Sequence, residues 1–132
     1  MHIMERPRLL LIDDEPALAD FVAKAAELCG YQAEIARGDA SFRALFAADR
    51  PAVVAIDLGM PGSDGVELLR FLSAEQFTGP VLIISGFERR VLESAFRLGE
   101  ALGLNMVGPL EKPTRLALLE DMLNDLKPTL AE

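Results

Sequence analysis

Short aliphatic runs alternate with amphipathic stretches five times along this chain, and few folds accommodate that alternation. Leu9-Leu10-Leu11-Ile12, Val53-Val54-Ala55-Ile56 and Val81-Leu82-Ile83-Ile84 are continuously apolar. That is the pattern of parallel strands buried on both faces, not of strands with one wet face. Strands are predicted over Arg8–Asp13, Tyr31–Ala36, Ala52–Asp57, 80–85 and Asn105–Leu110. Between them, apolar residues recur at helical spacing: Leu18, Val22, Ala25 and Cys29; Phe42, Leu45 and Phe46; Val66, Leu69 and Leu72; Val91, Ala95, Leu98 and Leu102; and Leu116, Leu119, Leu123 and Leu126. Pro16 suits a first helical turn and Gly30 a helix end. Asp39 or Ser41 is the expected cap of the second helix, and Thr114 that of the last.

Five strand–helix units of this length imply an α/β fold with right-handed crossovers and helices on both faces of the sheet. Five strands are too few to close an eight-stranded barrel. The expected architecture is a (βα)5 flavodoxin-like three-layer sandwich, a parallel five-stranded sheet in the order 2-1-3-4-5. One domain, 1–132, is expected, with its core from about 8 to 126.

Polar groups stand where the aliphatic runs stop. Asp13 and Asp14 follow the first, Asp57 the third and Ser85 the fourth, while Lys112 follows the fifth strand. In the proposed order these ends converge beside the topological switch between strands one and three, where open α/β sheets bind ligands. Clustered carboxylates repel one another, and a hard divalent cation removes that cost. Magnesium suits one or two carboxylates, a carbonyl and waters. Alone, Asp13-Asp14-Glu15 would read as an acidic helix start and Asp57 as a turn residue. Together they read as a phosphoryl-transfer site, with an ionised carboxylate as nucleophile.

Composition excludes other classes. The formal charge is −8 over 132 residues, against the basic surface that nucleic-acid binding needs, so no nucleic-acid partner is expected. Cys29 is the sole cysteine, so neither an internal disulfide nor a zinc cluster can form; it reads as a small buried apolar group. His2 receives no role. Residues 1–7 lack the apolar run of a secretion signal, and no stretch approaches the ~20 residues of a membrane span. No membrane association is expected, and the cytoplasm is the expected compartment.

Four segments in order, each ending a predicted strand, resemble the receiver domain of two-component response regulators: Leu11-Ile12-Asp13-Asp14-Glu15, then Asp57 to Gly65, then Ile83-Ile84-Ser85-Gly86, then Glu111-Lys112-Pro113. The resemblance runs from about Arg8 to Leu126. It implies a phospho-accepting signalling switch, not a turnover enzyme. Asp57 would be the phosphoacceptor. Asp14 would bind Mg2+ directly, Asp13 partly through water, and Gly59 through its backbone carbonyl. Ser85 would be the switch hydroxyl and Lys112 the phosphoryl-pairing cation. Pro113 would follow a cis peptide. The implied partners are a histidine kinase or phosphotransfer protein, and a second copy of the chain docked through the face of the fourth helix, fifth strand and fifth helix. The stretch from Leu102 to Pro113 is also similar, more weakly, to receivers fused to EAL-type cyclic-di-GMP phosphodiesterases.

Departures from the family pattern shape the alternatives. Pro109 stands three positions before Lys112, where receivers usually carry Tyr or Phe. Proline is confined to edge strands or bulges, and no ring is available there to follow the switch hydroxyl. That keeps a second reading, a phosphorylation-independent interaction module on the same fold. Ser85 and Lys112 are 27 positions apart, longer than in most receivers, and the excess is expected to lengthen the fourth helix, from about Glu88 to Leu102. Leu92 and Phe96 read as an apolar pair off its core stripe, either ordinary packing or a partner patch. Gly59 and Phe87, two positions after Asp57 and Ser85, offer no side chain to orient an attacking water. Gly59 also disfavours an aspartyl-phosphate phosphatase, which would carry its general acid there.

Overall fold

The computed structural model describes residues 6–13, 15–57, 65–85, 89–111 and 115–130. Strands and helices alternate in the order β1 (Arg8–Ile12), α1 (Pro16–Leu28), β2 (Gln32–Ala36), α2 (Asp39–Ala48), β3 (Val53–Asp57), α3 (Gly65–Ala74), β4 (Pro80–Ser85), α4 (Arg89–Ala101), β5 (Asn105–Glu111) and α5 (Leu116–Leu130). The sheet order is β2-β1-β3-β4-β5, with every pairing parallel, as the sequence predicts. No helix among the described residues is long and apolar enough to cross a membrane.

The continuous aliphatic runs are explained by what lies on each side of the sheet. Leu10, Ile12, Val54, Ile56, Val81 and Ile83 pack with residues of α2, α3 and α4. Their sequence neighbours Leu9, Leu11, Val53, Ala55, Leu82 and Ile84 pack with α1 and α5 on the opposite face. Strand side chains alternate faces, so a two-sided core demands an apolar residue at every step. Phe42, Phe46, Phe71 and Phe77 add edge-on and stacked ring contacts under α2 and α3.

Element boundaries follow local chemistry. Glu15 caps α1, with Pro16 in its first turn, where the missing N–H costs nothing. Gly38, not Asp39 or Ser41, is the cap of α2; Asp39 sits in the first turn and pairs with Arg43. Thr114 lies outside the described residues. In α4, Leu92 is buried and Phe96 packs against the core, whereas Val91 is exposed. Ala95, Leu98 and Leu102 of the predicted stripe do face the core, with Leu92 in place of Val91 at its start, and Leu92 and Phe96 belong to ordinary packing. Leu116 is likewise exposed, while Leu119 and Leu123 carry the buried face of α5.

The fifth strand carries the main irregularity. Val107 pairs with Leu82 and Leu110 with Ile84, so three steps on β5 face two on β4. Gly108 and Pro109 absorb the extra residue as a bulge on a strand that has only one neighbour, both settings in which proline is tolerated. Gly108 has φ +91°, and a Cβ there would lie 3.0 Å from Cδ1 of Leu82 and 3.2 Å from the nitrogen of Leu110. The Gly108–Pro109 peptide is cis. The bulge also switches faces: Met106 packs on the α4 side and Leu110 on the α5 side, although regular alternation would put both on one face. Pro113, the proline for which a cis bond is implied by resemblance, lies outside the described residues.

Two contacts yield measurable consequences. A Cβ at Gly79 would fall 2.2 Å from the carbonyl oxygen of Ala52 and 2.8 Å from the Phe77 ring. Gly79→Ala is therefore expected to lower unfolding free energy in urea by about 1–3 kcal/mol; an unchanged midpoint would contradict this packing. The fully buried Tyr31 donates its hydroxyl hydrogen bond to the carbonyl of Leu123 at 2.6 Å, fastening α5 to the start of β2. Burial first, then the neighbouring Cys29, pushes its pKa from the ordinary 10 up to about 12. The fold accommodates the neutral phenol, so its contribution is complete below pH 10 and is lost as pH rises toward about 12. Urea midpoints over that window should fall more steeply for the unsubstituted chain than for Tyr31→Phe, which itself costs about 0.5–1.5 kcal/mol at neutral pH. Parallel curves would contradict the assignment.

Candidate functional site

Sheet register brings three of the six predicted site residues, Asp13, Asp57 and Ser85, to neighbouring strand ends. Ile12 of β1 pairs with Ile56 of β3, and the next residue on each strand is an aspartate, Asp13 and Asp57. Asp57 in turn pairs with Ile84 of β4, whose next residue, Ser85, pairs with Glu111 at the end of β5. Asp13, Asp57 and Ser85 thus leave three neighbouring strands at their carboxyl ends. After β1 the chain passes to α1 on one face, and after β3 to α3 on the other. The aspartates therefore stand at the topological switch where such sheets open a crevice. Asp14, Gly59 and Lys112 lie outside the described residues.

Burial sets the two aspartates apart. Asp13 is 1% and Asp57 4% exposed, and they are the only buried polar or charged residues among those described. The backbone N–H of Asp13 donates to the carbonyl of Ala36 at 3.1 Å. Its Oδ1 accepts the N–H of Glu15 at 2.9 Å, a local side-chain-to-backbone closure that aims the carboxylate before α1 begins. Both carboxylates are backed by the aliphatic residues of their strands. At the other end of the sheet Arg8 pairs with Glu34 and Asp49.

The donor chemistry fits a hard divalent cation. Carboxylate oxygens from adjacent strands are what Mg2+ prefers, and no soft or nitrogen ligand stands among them. Groups of three or more His, Cys, Asp or Glu able to hold a metal are absent among the described residues; these contribute two carboxylates, and Asp14, the third in sequence, falls outside them.

One element of this end was not anticipated. Arg89, the first residue of α4, pairs with Glu111 at 2.9 Å. Glu111 is visible in the sequence only as the residue before Lys112, and nothing in the helical pattern marks Arg89. The contact depends on where α4 starts relative to the end of β5, which periodicity does not specify.

The geometry agrees with the comparisons. The family model described as the response regulator receiver domain matches residues 9–124. The chain belongs to that family, whose members are receiver domains of two-component response regulators, signalling switches rather than enzymes. It is 40% identical over 80 residues to the nitrogen assimilation regulatory protein NtrX of Azorhizobium caulinodans, a match covering 59% of this chain and 18% of that protein. It is 30% identical over 76 residues to the phosphate regulon transcriptional regulatory protein PhoB of Pseudomonas aeruginosa, covering 58% of this chain and 33% of that protein. The matched region thus spans a third or less of these relatives' length. Among solved structures, the signal receiver domain of a response regulator from Bermanella marisrubri superposes with TM-score 0.76 at 26% identity, covering 93% of this chain and 99% of that one. A receiver domain of a Francisella response regulator gives TM-score 0.78 at 25% identity, over 94% and 99%.

Proposed function

We propose that this domain is a phospho-accepting switch in which Asp57 takes a phosphoryl group from a histidine kinase or phosphotransfer protein in a Mg2+-dependent reaction. The observation that carries the reading is the pair of nearly inaccessible carboxylates on adjacent strand ends at the switch point of a receiver fold. A buried ionised carboxylate needs no general base. An Asp57 Oδ attacks phosphorus in line; the new P–O bond forms as the bond from phosphorus to the donor histidine nitrogen breaks. The electron pair of that bond stays on the imidazole, and the product is an acyl phosphate.

The other residues bind and orient. Asp14, Asp13, Asp57 and the carbonyl of Gly59 would hold Mg2+. Once bound, the cation would screen the carboxylates from the incoming anion. Lys112 would pair with phosphoryl oxygens, and Ser85, at the end of β4 beside Asp57, would donate a hydrogen bond to one of them. The phosphorylated domain would act in the cytoplasm by altering the α4–β5–α5 face. Exposed apolar side chains there, Val91 on α4 and Leu116 and Leu118 on α5, support a second copy of the chain as a partner. With Pro109 in place of an aromatic residue, signalling across that face must use other groups.

Incubation with acetyl phosphate and Mg2+ should add one phosphoryl group by intact mass, with no addition for Asp57→Asn or in excess chelator. Because Gly59 and Phe87 offer no group to orient water, the acyl phosphate should persist for minutes or longer. Labelling of Asp57→Asn equal to the unsubstituted chain, or decay within seconds, would contradict the assignment.

A further inference from the structure

Among the described residues at the end of the sheet that carries the aspartates, an ion pair joins α4 to β5. Arg89 opens α4 and Glu111 closes β5, with nitrogen and oxygen 2.9 Å apart. Glu111 is also the strand partner of Ser85. Glu111 therefore meets both the last residue of β4, through strand pairing, and the first residue of α4, through the ion pair. We infer that this pair is an anion-exchange clasp: Glu111 holds Arg89 in the unphosphorylated domain, and a phosphoryl group on Asp57 competes for the same guanidinium. The regulatory part of this inference rests on the proposed phosphorylation of Asp57.

The competition follows from charge and position. The side chains of Arg89 and Glu111 are 75% and 48% exposed, so the pair is weakly held, as exposed pairs are. A phosphoryl group carries nearly two negative charges and three acceptor oxygens, against one charge on Glu111, and guanidinium forks favour such acceptors. Asp57 pairs with Ile84, one position before Ser85, so the new anion arises two strands from Glu111, a lateral step of roughly 10 Å at ordinary strand spacing. Drawing Arg89 toward it unfastens the first turn of α4 from the end of β5. That movement couples the site to the α4–β5–α5 face without a ring at position 109. Glu111 and Arg89 act here as positioning residues.

A double-mutant cycle tests the clasp. Glu111→Gln should raise the initial rate of phosphorylation by acetyl phosphate about 2–5-fold in the unsubstituted background, the range of an exposed pair. In the Arg89→Gln background the same substitution should change the rate by less than about 1.5-fold, because no guanidinium remains to release. An equal gain in both backgrounds would mean that Glu111 merely repels the donor, and would overturn the clasp. So would no gain in either background while the unsubstituted chain is phosphorylated normally. A second arm needs no phosphorylation: backbone amides of Glu93, Ser94 and Ala95 in α4 should exchange hydrogen several-fold faster in Glu111→Gln than in the unsubstituted chain. If Asp57 accepts no phosphoryl group at all, the reading under Proposed function fails, and the clasp is judged on exchange alone; unchanged exchange overturns it.

Discussion

Two carboxylates brought together at the carboxyl end of an apolar sheet are the constraint on which the rest of this molecule turns. Asp13 and Asp57 are the only buried polar or charged residues among those described, and strands β1, β3 and β4 are aliphatic on both faces. Asp13 and Asp57 interrupt that rule at the same level of neighbouring strands. Like charges so placed repel, and a hard divalent cation would relieve that repulsion. A ligand that binds one state of a domain better than another biases the whole domain by that difference in free energy.

How the bias leaves the site depends on the far edge of the sheet. β5 is not a regular strand: the bulge at Gly108 and Pro109 switches the faces served by Met106 and Leu110, so the strand binds α4 on one side and α5 on the other. Regular alternation would have committed both side chains to one layer. The same bulge occupies the place where an aromatic ring would otherwise stand. The Arg89–Glu111 pair lies just beyond it, tying α4 to the strand end. Under the proposed clasp, charge rather than ring packing would carry communication between site and surface.

Much of this was legible in the sequence, for physical reasons. A parallel sheet buried on both faces can be built only from continuous aliphatic runs, so β1, β3 and β4 announce themselves, and the residues that end them follow directly. Parallel order then places Asp13, Asp57 and Ser85 together before any coordinate is known. Pro109 was also readable, since proline on a strand implies an edge or a bulge, and here it has both. The first core residue of α4 was not. In α4, Val91 and Leu92 are both apolar, and only contact with the sheet decides that Leu92 goes inside and Val91 stays wet. Gly38 displaced Asp39 as the cap of α2 for a similar reason: capping preferences differ by little, and the position of α2 on the sheet selects the start. The Arg89–Glu111 pair has no periodic signature, because it joins residues 22 positions apart whose proximity is a property of the tertiary fold.

The central claim is that Asp13 and Asp57 share one hard cation. Titrating Mg2+ into the protein while following side-chain carboxyl carbons by NMR tests it most directly. The account requires both resonances to shift along a single binding isotherm, and Asp57→Asn to weaken the affinity read at Asp13. Shifts confined to exposed acids such as Glu27 or Glu75, with Asp13 and Asp57 unmoved through saturation, would contradict it.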